Sequence, residues 1–342
     1  MKRIFLLFSF LALTACAPKG PATLTVMTHD SFAVSESLVT EFEQANNVDV
    51  VFLAGGDTGA ALNKAVLTKD APLADVFYGV DNTFLSRALE AGIFEPYASP
   101  LLAEIPDEFE LDPAHGALPV DFGDVCINYD KAYFAENNLP VPATLEDLTR
   151  LEYRGLLAVE NPATSSPGLA FLLATRAHFG DDYLDFWADL RDNEVVVVDD
   201  WETAYYTNFS ASSGRGPQPM VVSYGSSPPA EVIFAETPLD DAPTASIVGP
   251  NTCFRQIEFV GILAGTENRQ MAEKFIDFML GQKFQEDLPM QMFVFPVNQN
   301  AALPEAFVQY AQIPVQPARL TPDEIAANRE TWIREWTETV LR

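Results

Sequence analysis

Basic residues are scarce in this sequence. Its 342 residues include 20 Lys and Arg against 49 Asp and Glu, so the formal net charge is −29. Such a charge repels a phosphate backbone unless a compact basic patch exists, and the sequence has none, which excludes nucleic acid as a partner. Long apolar runs are also lacking, since the only one, at the N-terminus, is shorter than the ~20 residues that cross a bilayer. The hydrophobic fraction of 48% is enough for two domains with cores of their own.

Histidine, cysteine and catalytic motifs are few as well. The sequence has 3 His and 3 Cys, and no His-Glu-x-x-His, Cys-x-x-Cys or Gly-x-Ser-x-Gly pattern. The glycine-rich segment 55–59 lacks the lysine of a phosphate-binding loop, so a nucleotide hydrolase is not expected. We therefore predict a protein that is not an enzyme, with no metal site and no cofactor.

The N-terminal segment predicts export. Two basic residues follow Met1, an apolar stretch covers residues 4–12, and the tetrapeptide Leu-Thr-Ala-Cys ends at Cys16. This order is typical of a secretory signal, and the tetrapeptide resembles the lipobox of bacterial lipoproteins, in which the cysteine is lipidated and begins the mature chain. We expect a periplasmic lipoprotein attached to the membrane by its lipid anchor only, with a plain signal peptide as the alternative. The prediction assigns residues 1–15 to the signal peptide and residues 16–22 to a lipidated tether.

Two cysteines remain once Cys16 is assigned to the lipid, and they are Cys126 and Cys253. In an oxidising compartment a disulfide between them is the simplest expectation, and two buried free thiols are the alternative. Each cysteine lies in a strand-like stretch, so a disulfide would place these two stretches side by side. The chain would then leave one lobe through the first stretch and return through the second, which predicts two crossing hinge strands.

Short apolar stretches alternate with helix-like periodicity along the chain, which indicates an α/β protein with a parallel sheet and helices on both of its faces. The first strands are predicted at residues 24–28, 48–53 and 74–80. A second set follows the Cys126 stretch, so we expect two lobes that form a clamp. The predicted lobe 1 is discontinuous, with residues 23–122 and 252–342, and the predicted lobe 2 covers residues 123–251.

Acidic and aromatic residues follow the predicted strands of both lobes. Ligands of such sheets bind at the carboxyl ends of the strands, where these residues fall. Carboxylates and flat rings that face a shared gap suit a planar cation, because the face of an aromatic ring attracts positive charge. Two serines precede Pro167 at a predicted helix start, where free amide groups suit an oxyanion. The candidate ligand-binding residues are His29, Asp30, Asp57, Asp81, Asp121, Ser165, Ser166, Trp201, Tyr224 and Phe293.

Several motifs occur in an order that carries a family resemblance. They are Asp-Ser-Phe-Ala at 30–33, Pro-Val-Asp-Phe-Gly at 119–123, Thr-Ser-Ser-Pro-Gly-Leu at 164–169, Ser-Tyr at 223–224 and Phe-Pro-Val at 295–297. On these residues the chain resembles the substrate-binding proteins of bacterial ABC importers and, within them, the thiamine-binding proteins. The resemblance covers nearly the whole mature length and implies a two-lobed, periplasmic-binding-protein-like fold of type II.

The resemblance also implies a ligand, namely thiamine or one of its phosphate esters, held between the lobes. Asp57 matches the acid that faces the ligand, and Ser165 matches a hydroxyl in the same site. Trp201 and Tyr224 match two of the stacked aromatics.

Three positions depart from the family pattern. His29 and Ala230 stand where tyrosines are usual, and Phe293 stands where a tryptophan is usual. The losses remove hydroxyl donors and ring area from the implied site. They leave open whether the ligand is thiamine bound in a different manner, a modified form of thiamine, or another cation.

The resemblance implies that the protein captures its ligand and delivers it to an importer. Ligand contacts with both lobes would favour a closed state of the clamp. The closed form would then dock on an ABC permease, whose ATPase partner drives release of the cargo. We expect a monomer that transforms nothing chemically.

Two alternatives use other residues. A related ferric-ion-binding importer protein would use the adjacent Tyr205 and Tyr206 with a histidine and an acid, a donor set suited to a hard metal. Neighbours on an α-helix, however, point about 100° apart. A thiaminase-like enzyme on a similar two-lobed fold would use Cys126 as its nucleophile, which a disulfide would prevent.

Overall fold

The computed structural model describes residues 21–211 and 216–342. The predicted signal peptide, the predicted lipidation site Cys16 and most of the predicted tether lie outside the described residues. Within the described ranges, no helix combines the length and the apolar character that a membrane span requires.

The first part of the chain builds a parallel sheet flanked by helices. Its elements are β1 (Ala22–Thr28), α1 (Glu36–Asn46), β2 (Val48–Ala54), α2 (Thr58–Leu67), β3 (Val76–Asp81), α3 (Leu85–Ala91) and β4 (Phe94–Glu95). Strand β1 pairs in parallel with β2 and with β3, which confirms the parallel sheet predicted from the alternating patterns. Every residue of β3 is buried, because a parallel strand covered on both faces has no solvent side.

Two long antiparallel strands, β5 (Leu118–Asp130) and β10 (Phe254–Leu263), connect the two parts of the molecule. The first part of β5 pairs with β10, and its last part pairs with strands of the second lobe, so β5 passes from one lobe to the other. A disulfide joins Cys126 to Cys253 at this crossing, with 4.4 Å between the two Cα atoms. The structure thus has the crossing hinge strands and the disulfide that the sequence predicted, and not the two free thiols.

The second part of the chain repeats the α/β arrangement. Its elements are α4 (Lys131–Glu136), β6 (Leu157–Glu160), α5 (Ser166–Phe179), α6 (Tyr183–Asp192), β7 (Val196–Val198), β8 (Met220–Tyr224), α7 (Pro228–Ile233) and β9 (Thr244–Ile247). Strand β6 pairs in parallel with β7 and β8, and β8 joins the hinge strand β5. The sheet therefore runs continuously in the order β2-β1-β3-β10-β5-β8-β6-β7. A π-helical segment covers Thr203–Asn208, within a stretch that the sequence predicts as helical.

The C-terminal part adds helices to both lobes. Its elements are α8 (Arg269–Leu280), α9 (Gln282–Gln291), β11 (Phe295–Pro296), α10 (Glu305–Tyr310) and α11 (Pro322–Val340). In α11, Trp336 meets Trp187 of α6 edge-on, with ring centroids 5.5 Å apart. One turn of the same helix carries Arg329, which donates to Ser86 Oγ of α3 at 3.0 Å. The lobe boundaries stay a prediction, and α11, which it assigns to lobe 1, packs on both parts of the molecule.

Candidate functional site

A cavity of about 280 Å³ lies between the two lobes beside the hinge strands. Its volume is just below the ~300–1,000 Å³ that is typical of small-molecule sites, so it fits a compact ligand and not a polymer. Residues of both lobes form its wall. They include His29, Asp30, Ser31, Asp57, Ser166, Trp201, Glu202, Tyr205, Tyr206, Tyr224, Glu258, Met292 and Phe293.

Aromatic rings form one side of the cavity. The rings of Trp201 and Tyr205 are stacked, with centroids 5.1 Å apart and planes inclined by 19°. Tyr206 and Tyr224 meet Trp201 edge-on, at centroid distances of 5.5 and 6.5 Å. The indole N–H of Trp201 donates a hydrogen bond to Ser223 Oγ at 2.9 Å, which fixes the orientation of the indole. The cavity is thus bordered by ordered rings that can stack on a planar cation.

The π-helical segment explains how three aromatic residues of one short stretch reach the cavity. Trp201 and Tyr205 are four residues apart, a spacing that places them on one helix face. Tyr206 is five residues from Trp201, and the i→i+5 hydrogen bonds of a π-helix bring this spacing onto the same face. One such bond runs from the N–H of Phe209 to the carbonyl of Ala204, at 3.0 Å. From the sequence, α-helical geometry was assumed around Tyr205 and Tyr206, and this assumption was wrong because Thr203–Asn208 is a π-helix.

Asp57 caps helix α2 and links it to the opposite lobe. Its carboxylate accepts a hydrogen bond from the N–H of Thr58 at 2.6 Å and, across the cleft, one from the N–H of Trp201 at 3.2 Å. Burial raises the pKa of Asp57, and the hydrogen bonds from the N–H groups of Thr58 and Trp201 oppose the rise. A carboxylate therefore lies where the two lobes meet.

A group of buried acids lies at the hinge. Glu258 of β10 lines the cavity, and Asp81 and Asp121 lie deeper, each with 0% of its surface exposed. The hydroxyl of Tyr78 donates to Asp121 Oδ2 at 2.5 Å and lies 3.1 Å from Glu258 Oε2. Burial raises the pKa of Asp81 to about 7 and the pKa of Glu258 to about 8. It also raises the pKa of Asp121 well above its usual range, so Asp121 and Glu258 hold protons at neutral pH, whereas Asp81 is about half ionised there.

His29 lies between the acids and the cavity. Its Nδ1 is 3.0 Å from Ser31 Oγ, and its Nε2 is 3.4 Å from Glu258 Oε1. Burial lowers the pKa of His29, against the raising effect of nearby acids that include Asp57, so the ring is neutral at pH 7. Gly79 packs against this ring with φ +107°, and a Cβ at Gly79 would collide with the imidazole. The glycine thus makes room for the histidine.

Most of the candidate residues predicted from the sequence line the cavity. They are His29, Asp30, Asp57, Ser166, Trp201, Tyr224 and Phe293. Asp81, Asp121 and Ser165 do not line it, and each is fully buried behind its wall. Asp81, for instance, turns Oδ1 to the Thr83 hydroxyl at 2.7 Å, inside its own turn. The part of these three residues in binding stays a prediction, and a direct contact with the ligand does not follow from their positions.

Several lining residues are absent from the sequence-based set, and Glu202, Tyr206, Glu258 and Met292 are among them. Glu258 does leave a signal in the sequence, because a carboxylate between Ile257 and Phe259 in an apolar strand is rare without a specific reason. Met292 leaves none, since it follows α9, a helix that was not predicted from the sequence.

The electrostatics of the cavity favour a cation. Four acids line it, Asp30, Asp57, Glu202 and Glu258. None of the lining residues in the described part of the chain is Lys or Arg. With the neighbouring His29 neutral, a positive ligand is the natural counter-charge for these acids.

The structure supports neither of the two alternatives, the ferric-ion site and the cysteine nucleophile. Among residues 21–211 and 216–342, no group of three or more His, Cys, Asp or Glu could hold a metal ion. The Tyr205 hydroxyl donates to Glu231 at 2.8 Å, and burial raises the pKa of Tyr205 well above its usual range, which disfavours the tyrosinate that binds ferric ion. Cys126 is bonded to Cys253 and offers no thiolate nucleophile.

Sequence comparison identifies similar proteins. The sequence model of a family described as "Bacterial extracellular solute-binding protein" matches residues 71–317. The thiamine-binding periplasmic protein of Escherichia coli (strain K12) is 30% identical over 325 residues, which cover 93% of this chain and 94% of that protein. The thiamine-binding periplasmic protein of Brucella suis biovar 1 (strain 1330) is 29% identical over 351 residues, which cover 98% of each chain.

Structural comparison agrees with the sequence comparison. A solved structure of a periplasmic thiamin binding protein matches with a TM-score of 0.82 and 27% identity, covering 94% of this chain and 97% of that chain. The match confirms the predicted α/β, two-lobed fold of type II. The similar proteins are binding proteins, which supports the prediction that the chain is not an enzyme.

Proposed function

We propose that this chain, which belongs to the bacterial extracellular solute-binding protein family, captures thiamine or a thiamine phosphate in the periplasm for delivery to an ABC importer. The observation that carries the proposal is the cavity between the lobes. There the stacked rings of Trp201 and Tyr205 adjoin four lining acids, without a Lys or Arg among the described lining residues. Similar proteins named for thiamine binding support the choice of ligand.

The chemistry of thiamine suits this lining. Its thiazolium ring is flat and permanently positive, so it can stack on an aromatic face and lie near a carboxylate. Each ring face over a cation contributes on the order of 0.5–2 kcal/mol, and more when the contact is desolvated. Trp201 supplies such a face, Asp57 supplies a carboxylate beside it, and Glu258 lines the same cavity.

Closure of the lobes retains the ligand. Asp57 of the first lobe and Trp201 of the second already share a hydrogen bond, and both line the cavity. A ligand that contacts both residues binds the closed form better than the open one. It therefore shifts the population toward the form that an importer can recognise, by as much as its affinities for the two forms differ.

The delivery step requires partners outside this chain. We propose that the closed monomer docks on an ABC permease, whose ATPase drives release, and that a lipid on Cys16 keeps the monomer at the membrane. The lipobox-like tetrapeptide that ends at Cys16 supports the anchor. Substitution of Cys16 by Ser tests it, because the variant is expected in the soluble periplasmic fraction and the parent protein in the membrane fraction.

Calorimetry with separate ligands tests the proposed cargo. Thiamine and its mono- and diphosphate are titrated into the purified protein, with ferric citrate as the competing candidate. We expect one site per chain for at least one thiamine form, and neither heat nor a new visible absorption band with ferric citrate. Absence of heat with all three thiamine forms would rule out thiamine as the cargo.

A further inference from the structure

Three carboxyl groups lie in one row across three neighbouring strands. Glu258 of β10 is in register with Asp81 of β3 on one side and with Asp121 of β5 on the other. Like charges directly opposite each other destabilise a sheet, so an ionised row of this kind opposes folding. The pairing also changes register nearby, between Glu258 and Phe259 on the β5 side and between Phe259 and Val260 on the β3 side, and such irregularities are frequent next to functional sites.

The hydrogen bonds around the row require a proton on it. The hydroxyl of Tyr78 has a single proton, yet its oxygen lies 2.5 Å from Asp121 Oδ2 and 3.1 Å from Glu258 Oε2. One hydroxyl proton cannot serve both contacts, so a protonated carboxyl of Asp121 or Glu258 donates the second hydrogen bond back to the tyrosine oxygen.

Several polar atoms in and beside this row lack hydrogen-bond partners. Among the described residues, His29 Nε2 is buried without a hydrogen-bond partner, although the residue lines the cavity and is 5% exposed. Asp121 Oδ1 and Asp81 Oδ2 are also buried without partners. Glu258 connects these atoms to the ligand space, because it lines the cavity with 7% of its surface exposed.

Within the described part of the chain, no positive charge neutralises the row. The titratable groups that face Glu258 from the other packed elements are His29 after β1, Asp57 at the start of α2, Tyr78 and Asp81 of β3, Asp121 of β5 and Tyr224 of β8. Of these groups, only His29 could become a cation, and its burial disfavours the charged form. Arg255, on the same strand as Glu258, is held by both carboxylate oxygens of Asp124 at 2.9 and 2.8 Å.

We propose that Glu258 contacts the positive group of the ligand and selects for cations, and that capture of the cation displaces one proton from the Asp81–Glu258–Asp121 row. This inference rests on the proposed function, since it requires an organic cation as cargo. The O–H bond of one carboxyl group breaks, its electron pair stays on the carboxylate, and the proton passes to solvent. The ligand cation then takes the place of the proton as the counter-charge.

The direction of the pH dependence follows from this exchange. Burial and the neighbouring acid Asp81 raise the pKa of Glu258 to about 8 in the free protein, and a bound cation lowers this pKa again. Affinity for the cation therefore rises with pH until the row is ionised in the free protein. Exchange of one proton gives at most about a tenfold change in Kd per pH unit.

Calorimetry with thiamine chloride at pH 7 in two buffers tests the exchange. Tris takes up a proton with a large heat and phosphate with a small one, so release of a proton makes the observed enthalpy differ between them. We expect that difference, together with a Kd that falls severalfold from pH 6.5 to pH 8.5. A titration of thiamine into each buffer without protein subtracts the heat of dilution.

Two variants assign the effect to the row. Glu258→Gln is expected to bind thiamine more weakly, with the buffer difference and the pH dependence lost. Glu108→Gln makes the same exchange at an exposed position outside the cavity and is expected to keep both. If wild type binds thiamine tightly with identical enthalpies in both buffers, the proton exchange is wrong and the proposed function still holds. If wild type binds no thiamine at any pH, the proposed function itself is wrong.

Discussion

The carboxylate of Asp57 accepts a hydrogen bond from the backbone N–H of Trp201, at 3.2 Å, across the cleft between the lobes. Asp57 belongs to the helix start of α2 in the first lobe, and Trp201 precedes the π-helical segment of the second. Both residues line the cavity. The same contact therefore joins the lobes and borders the ligand space, which couples closure to binding.

We expect Asp57→Asn to weaken thiamine binding by on the order of 10–100-fold, because a hydrogen-bonded charge is replaced by a neutral amide of the same shape. Calorimetry at pH 8 measures the loss. Asp30→Asn serves as the matched control, and its loss should be smaller because Asp30 is exposed and screened by solvent. Equal losses for the two variants would contradict a special part for Asp57.

The indole of Trp201 is expected to provide a stacked face for the ligand. Trp201→Ala should weaken thiamine binding by about 1–3 kcal/mol, and Trp201→Phe should lose less because it keeps a ring in place. Calorimetry compares the two variants, and thermal melting without ligand checks that both fold. Unchanged affinity in the alanine variant would remove Trp201 from the site.

The acid row should make the free protein less stable as pH rises. The pKa of Glu258 is about 8 in the folded protein against its usual 4.5, so between these values the folded state binds more protons than the unfolded state. The free energy of unfolding therefore falls as pH rises through this window. Relative to wild type, Glu258→Gln should be more stable by on the order of 1 kcal/mol at pH 8 and nearly equal at pH 5. Urea unfolding at both pH values measures this, and an equal difference at the two would contradict the assignment.

Much of the fold could be predicted because its elements carry local patterns. The spacing of Ile325, Trp332 and Trp336 indicates one helix face, and α11 buries these three residues. Strands β1, β2 and β3 coincide with the predicted apolar stretches. The polar loops that follow β1 and β2 contain His29 and Asp57. The sequence was sufficient to predict a helix or strand where the pattern of a single segment determines it.

Features that depend on distant segments or unusual windings could not be predicted. The acid row is formed by Asp81, Asp121 and Glu258, which come together only when β3, β5 and β10 pair. The π-helical winding that brings Tyr206 to the cavity has no periodic signal of its own. Strand β9 and helix α7 were missed because the sequence around them is rich in Pro and Asp and lacks a clear period.

Gly79 is expected to be required for the position of His29. Gly79→Ala places a Cβ against the imidazole in addition to straining a residue with φ +107°, so both stability and thiamine binding should decrease. Gly92→Ala separates backbone strain from the contact with the imidazole. Gly92 has φ +64°, so alanine is strained there, but its Cβ would meet no atom within 4 Å. Both variants should lose about 1 kcal/mol or more of stability, and only Gly79→Ala should bind thiamine more weakly. Normal binding by Gly79→Ala would contradict the positioning of His29 by this glycine.

The disulfide is expected to stabilise the hinge. It joins residues separated by 127 positions, and a bond that closes so long a loop restricts the unfolded chain strongly. Replacement of both Cys126 and Cys253 by Ala should lower the free energy of unfolding by about 2–5 kcal/mol in urea titrations. The intact mass of the unreduced parent protein should be lower by two hydrogens than its mass after reduction, and equal masses would contradict the bond.

Native mass spectrometry of freshly purified protein shows whether the closed cleft holds a flat organic cation. After brief incubation with equimolar thiamine, we expect one added thiamine mass per chain for wild type and much less for Asp57→Asn. Choline, a cation without a ring, should compete poorly. A spectrum without the thiamine adduct, or the same adduct on wild type and on both Asp57→Asn and Trp201→Ala, would contradict it.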